Sequence, residues 1–149
     1  MLIDALSATP RDIERMIRPV GIAFLHMTPA ANEWSIAQLI AHLVDIEPKF
    51  RARLKRMVEQ VHPYEVQLTP DETVYEPNVP VVALLQSFAA ERAETTNYLA
   101  TLKNTDWLRT CNHETYGVTK LHQQVRILIG HDNEHLAQIV NIREKINTI

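Results

Sequence analysis

Cysteine is almost absent: Cys111 stands alone in 149 residues, which excludes an intramolecular disulfide and a cysteine-rich zinc site and makes a reducing compartment, the cytoplasm, the expected location. Glycine is scarce too, at three residues, so few turns can demand a positive φ; with 46% hydrophobic and 22% charged residues this favours a soluble helical protein. There is no excess of basic charge. A net charge of -3 and a pI near 6.1 leave no electrostatic footprint for nucleic acid. No apolar run approaches the roughly 20 residues that cross a bilayer, because charges interrupt each one, so no membrane partner is expected. The first residues, MLIDALSATPRDIERM, lack a basic stretch followed by an apolar one, and no removable leader is expected.

A chain of this length suits one domain and buries roughly 70% of its unfolded surface, enough for a core without covalent staples. Its apolar residues recur at helical intervals in four segments. The first runs from about Leu2 to Arg18 through Ile3, Leu6, Ile13, Met16 and Ile17, with Pro10 expected to kink or restart it and Thr9 as a candidate cap for the restart. Pro19, Gly21 and Pro29 break the chain after it. The second begins sharply at Ser35, where Gln38 three residues on completes a capping box and Trp34 can pack on Leu39. It should run from Ile36 towards Val61, burying Ile36, Leu39, Ile40, Leu43 and Ile46, with a bend near Pro48.

Four of the eight prolines, Pro63, Pro70, Pro77 and Pro80, then fall in one stretch that reads as an extended crossover. The third helix is expected over Val79 to Lys103 with Asn78 as its cap and Val82, Leu85, Phe88 and Leu99 or Leu102 inward. The fourth is expected from near Thr119 to Ile146, packing Val125, Leu128, Ile139, Ile142 and Ile146. A crossover long enough to return the chain makes the second and third helices parallel, so the expectation is an all-α four-helix bundle, up-down-down-up.

The fourth helix holds an unusual pair. In GHDNEHL, His131 and His135 are four residues apart, about 40° around a helix and roughly 6 Å along it, so their rings can converge on one point. A lone histidine on an apolar face is usually a packed core residue with one hydrogen-bonded nitrogen. Two unpaired imidazoles facing a core would each cost a few kcal/mol of desolvation, and a shared cation would satisfy both. Two ligands rarely hold a catalytic metal, and His42, beside the inward stripe of the second helix, is the candidate third.

The segments EWSIAQLIAHLVDIE (33–47) and GHDNEHLAQIVNIREKI (130–146) together resemble the DinB/YfiT-like superfamily of helical-bundle metalloenzymes. A Trp-Ser helix start, His-Leu-x-Asp-x-Glu and a final His-x-x-x-His occur in the family's order, and the resemblance spans essentially the whole chain. It implies that His42, His131 and His135 bind a divalent metal. Zinc or nickel is expected foremost, with iron, cobalt or manganese as alternatives, since three imidazoles alone do not choose among them. An open fourth position would serve to activate water, polarise a substrate oxygen or bind a thiol as thiolate. Bacillithiol transferases and mycothiol-dependent maleylpyruvate isomerases belong to the family, so the resemblance implies a low-molecular-weight thiol and an electrophilic small molecule as partners, in a thiol-dependent S-transferase or a hydrolase; relatives also often form homodimers. A non-enzymatic metal-binding or interaction module is the alternative.

Other residues carry weaker signals. Asp45 and Asp132 could support the histidines, although a solvated helix surface is the expectation for both. Glu134 does not occupy the place of the glutamate in His-Glu-x-x-His proteases, which Asp132 holds instead. His26, His62, His113 and His122 are expected to be exposed, Cys111 and His113 to lie in an irregular segment without forming a nucleophile-base pair, and the basic run at 51–56 to be a solvated helix end with Glu47–Arg51 and Lys55–Glu59 pairs.

Overall fold

A computed structural model describes residues 1–147 of the chain. Its helices are α1 (Leu2–Ile17), a single turn α2 (Ile22–Leu25), α3 (Ile36–Glu59), α4 (Val81–Ala100) and α5 (Leu121–Asn147). Four are long and form a bundle. The capping box at α3 is complete: Ser35 Oγ accepts from the Gln38 N–H at 3.1 Å and the Gln38 side chain accepts from the Ser35 N–H at 2.8 Å. This fixes the first turn of the helix that carries His42.

Helix directions follow from which residues meet. Arg51 pairs with Glu91 and Lys55 lies over Tyr98, so α3 and α4 run parallel. His42 meets His131 whereas Arg53 meets Gln124, so α5 opposes α3. Thr9 bonds Asp132, and Leu6 shares an apolar cluster with Leu128 while Ile13 shares one with Ile139; α1 therefore runs with α5. The order is up-down-down-up, as the long crossover requires.

Of the two expectations for Pro10, the restart is not met: α1 runs unbroken through it from Leu2 to Ile17. A proline inside a helix strands the carbonyl four residues earlier, here that of Leu6. Arg92 Nη1 donates to that oxygen at 2.9 Å, so a buried cation from α4 replaces the missing amide. Thr9 caps nothing and instead donates to Asp132 Oδ2 at 2.7 Å.

The stripe of α3 is buried as expected, and so are Phe88, Leu99, Val125, Leu128, Ile139, Ile142 and Ile146. Two boundaries differ. α4 starts at Val81 with Pro80 in the cap position and no side-chain cap, so Asn78 has no capping role, and Val82 points to solvent. α5 starts at Leu121 because residues 117–120 belong to a strand. That strand, β3 (Gly117–Lys120), forms a hairpin with β2 (Thr110–His113), and β2 pairs in parallel with the short β1 (Tyr64–Glu65) from the crossover. Gly117, at φ 72°, makes the tight hairpin possible. The sheet is minor, tied to α3 through Arg56–Glu65 and to α5 through Gln124–Thr119.

Candidate functional site

His42 from α3 and His131 and His135 from α5 converge. Their ligand-capable ring nitrogens all lie within 4.8 Å of one another. His131 Nε2 is 2.9 Å from His135 Nε2 and 3.4 Å from His42 Nε2, while the rings stand steeply tilted, 83° apart for His131 and His135. The sequence expectation that these three side chains share one point is met geometrically. Trp34, which precedes the capping serine, closes one side, with its ring centroid 4.9 Å from that of His42 and 6.5 Å from that of His135.

Electrostatics keep this cluster neutral. Burial, followed by the neighbouring imidazoles His135 and His131, lowers the His42 pKa from 6.5 to about 4. His131 is lowered by burial and then by His135; His135 is lowered mainly by burial, against the opposing Gln138 hydrogen bond. Each neutral ring carries one lone pair and one N–H, and its tautomer sets which of them faces the shared point. Gln138 Oε1 accepts from His135 Nδ1 at 3.0 Å, so that ring presents Nε2 as a bare lone pair. Nδ1 of His42 and of His131 is buried with no protein partner. Three imidazole nitrogens at this spacing are a donor set that fits a borderline-soft divalent ion.

The carboxylates expected to support the histidines do other work. Asp45 accepts from Lys49 at 3.1 Å and from the Asp71 N–H at 2.8 Å. Asp132 is buried, not solvated: with Glu47 it encloses Arg92, itself 2% exposed, through bonds of 2.6 to 3.0 Å. This network joins α1, α3, α4 and α5 one residue along the helix from His131. Glu47 is thereby unavailable to Arg51, which pairs with Glu91 and Glu94 across to α4. Sequence reasoning missed Arg92 because nothing on its own helix marks it as buried, and it missed Gln138 because an amide three residues after a histidine is common.

Beside the histidines opens a cavity of about 460 Å³. His42 and His131 line one end, with exposed Glu134 near them; Arg53, Gln67 and Tyr116 line the other. Arg53 corrects a second expectation, being 3% exposed where a solvated helix end was anticipated. His113 is buried as well, and Cys111 and His113 belong to a regular strand. They form no pair: Cys111 Sγ contacts Thr119 Oγ1 at 3.3 Å, and His113 Nδ1 accepts from the Thr115 and Tyr116 N–H groups. His62 is exposed, and His26, half-buried, bonds Tyr75 Oη at 2.8 Å.

A bundle of this topology with histidines from its second and last long helices defines a class, and residues 5–139 match the sequence profile of the DinB superfamily. The chain belongs to that superfamily. It is similar to YuaE of Bacillus subtilis, at 25% identity over 82% of this chain and 85% of that one. It is also similar to a Bacillus mycoides protein named "putative metal-dependent hydrolase", at 24% identity over 97% of this chain and 85% of that one. Among solved structures, YfiT from Bacillus subtilis, described as "a probable metal-dependent hydrolase with an unusual four-helix bundle topology", superposes with a TM-score of 0.81. That match spans 98% of this chain and 86% of YfiT at 17% identity, a likeness of fold. No helix among the described residues is long and apolar enough to cross a membrane.

Proposed function

We propose that His42, His131 and His135 hold one divalent metal ion, zinc or nickel foremost, and that the protein is a metal-dependent enzyme acting on a small molecule, by transfer of a low-molecular-weight thiol to an electrophile or by hydrolysis. The observation that carries this reading is the convergence of three neutral imidazoles at the end of an open cavity. The names of the relatives support it from outside the chain. When bound, such an ion supplies Lewis acidity that lowers the pKa of a thiol or water reaching it.

The chain's own residues supply the rest. Gln138 holds the His135 tautomer, and Trp34 walls the histidines on one side. Glu134 lies one turn from His131 and lines the same cavity, so it is the carboxylate positioned to accept a proton from the incoming nucleophile. Cys111 has no part in this, since its sulfur is buried away from the cavity lining. The cavity argues for an enzyme over a metal-binding module, because a storage or structural site needs no room beside the ion. A homodimer belongs to the same proposal; sedimentation showing a monomer at micromolar concentration would remove it.

The test is a screen of bacillithiol, mycothiol, glutathione and coenzyme A with several electrophiles, alongside hydrolysable esters and amides. The metal-loaded protein should accelerate at least one reaction that the metal-free protein does not. If no thiol changes the spectrum of the cobalt-substituted protein and none reacts faster, the transferase reading fails; if the esters and amides are also untouched, the metal-binding module replaces the enzyme.

A further inference from the structure

We propose that the cavity end at Arg53 is a carboxylate-binding subsite, and that the molecule taken here is elongated, with an apolar middle and an anionic group opposite its reacting end. The proposal deepens the reading of the histidines as a metal site, which supplies only the identity of the reacting end.

The shape comes from one face of α3. His42, Ile46, Phe50 and Arg53 step by four, four and three residues, and all line the cavity. Eleven residues are within about 20° of three full turns and rise about 16 Å, so the histidine and the arginine sit at opposite ends of one stripe. Leu68, Ile127 and Leu128 complete apolar walls between them. A space of this size and lining suits a molecule of roughly drug-like dimensions with polar groups only at its ends.

Charge gives the direction. Among the lining residues, all of them described, Arg53 is the one lysine or arginine and Glu134, by the histidines, the one carboxylate. Arg53 is incompletely satisfied. Its Nη1 donates to Gln124 Oε1 at 3.2 Å and its Nη2 to the Val66 carbonyl at 2.6 Å, but its Nε has no hydrogen-bond acceptor. The closest carboxylate oxygen, Glu65 Oε1, is 3.7 Å away and belongs chiefly to Arg56, whose Nε donates to Glu65 Oε2 at 2.9 Å. Arg56, itself 40% exposed, takes both Glu65 oxygens, so buried Arg53 has that carboxylate only at 3.7 Å, while Glu114 is held at the surface by the Gln67 N–H.

Behind the lining, its ring centroid 4.8 Å from that of Tyr116, His113 holds a second unmet donor. Because its Nδ1 accepts two backbone N–H groups, its proton sits on Nε2, and that buried atom has no acceptor either. Arg53 lies near enough to help depress the His113 pKa, after burial, which keeps the ring a neutral donor. Gln67 and Tyr116 bring an amide and a phenol to the same end. A buried arginine with an unmet donor, the one cation of the lining, is complementary to a carboxylate, the group a guanidinium is best matched to.

The test uses the full chain in two states. With metal-free protein, calorimetry should show decanoate binding at least about tenfold more tightly than methyl decanoate, a difference of 1.4 kcal/mol. With cobalt-loaded protein, the same preference should appear for mercaptoundecanoate over its methyl ester, and mercaptoundecanoate should exceed mercaptopropionate, which is too short to reach Arg53. Arg53→Met should abolish both acid-over-ester preferences. Ile127→Trp, which fills the middle without touching the ion network, should weaken decanoate and mercaptoundecanoate while leaving mercaptopropionate unchanged, and it decides the matter if Arg53→Met does not fold. Equal binding of acid and ester to the wild-type protein, or a preference that survives Arg53→Met, would overturn the subsite. Loss of every thiol effect on the cobalt spectrum with decanoate selectivity intact would sink the metal reading and leave the subsite standing.

Discussion

Arg92 and Asp132 meet in a two-point contact, Nη1 to Oδ2 at 2.6 Å and Nη2 to Oδ1 at 2.9 Å, and both residues are at most 2% exposed. Glu47 closes the other side of the guanidinium, and the carbonyl stranded by Pro10 takes a further donor. Removing the cation leaves two buried carboxylates facing each other. Arg92→Met should therefore cost about 3–5 kcal/mol of stability in the metal-free protein, measured by denaturant unfolding. A loss below about 1 kcal/mol would mean the network is more hydrated than its burial implies.

Among the described residues, Gln138 is the one side chain outside the three histidines that hydrogen-bonds a site histidine. Gln138→Leu should leave the far-ultraviolet circular dichroism unchanged yet weaken metal affinity about 10- to 100-fold, as removal of such supports does elsewhere. Chelator competition would measure it, and unchanged affinity would show that packing against Trp34 alone fixes the His135 ring.

The site's pH response follows from lowered histidine pKa values. An imidazole whose folded pKa lies below its unfolded value binds fewer protons when folded, so stability is full above about 6.5 and declines as pH falls toward the folded value, about 4 for His42. The thermal midpoint of the metal-free protein should accordingly drop between pH 7 and pH 5, and His42→Gln should flatten that slope. The same shifts move proton competition for metal below the ordinary histidine range: half-loss of metal should come well under pH 6.5. An apparent affinity that, at fixed free metal, falls through pH 6.5 as steeply as for ordinary histidines would contradict the burial of the rings.

Glu134→Gln should lower kcat with metal content unchanged for whichever substrate the screen identifies, by roughly 10²–10⁴-fold if the carboxylate accepts the proton. Equal kcat in the two proteins would remove Glu134 from the reaction while leaving the metal site intact.

Much of this was legible in the chain because periodicity and caps are local. The Ser35–Gln38 box fixed the start of α3, and the three- and four-residue steps through 128, 131, 135, 139 and 142 put both histidines on the inward face. The hairpin over 110–120 was not legible: its strands are four residues each, and β1, its third partner, lies in the proline-rich crossover, a pairing only the tertiary fold creates. The buried charges were hidden for a related reason. Asp132, Glu47 and Arg92 come from three helices, and each alone looks like an ordinary surface residue; Arg53 looked solvated because its partners Val66, Gln124 and Glu65 are distant in sequence. The restart at Pro10 was expected for lack of knowing that Arg92 would reach Leu6.

The central claim is that three histidines hold one metal ion. Metal content of the untagged protein, by mass spectrometry after exhaustive gel filtration, tests it most directly, in parallel with His42→Ala, His131→Ala, His135→Ala and Cys111→Ser. The account predicts close to one divalent ion per chain in the wild type and in Cys111→Ser, and a sharp loss in each histidine variant. Full occupancy in all three histidine variants, or a large loss in Cys111→Ser, would contradict it.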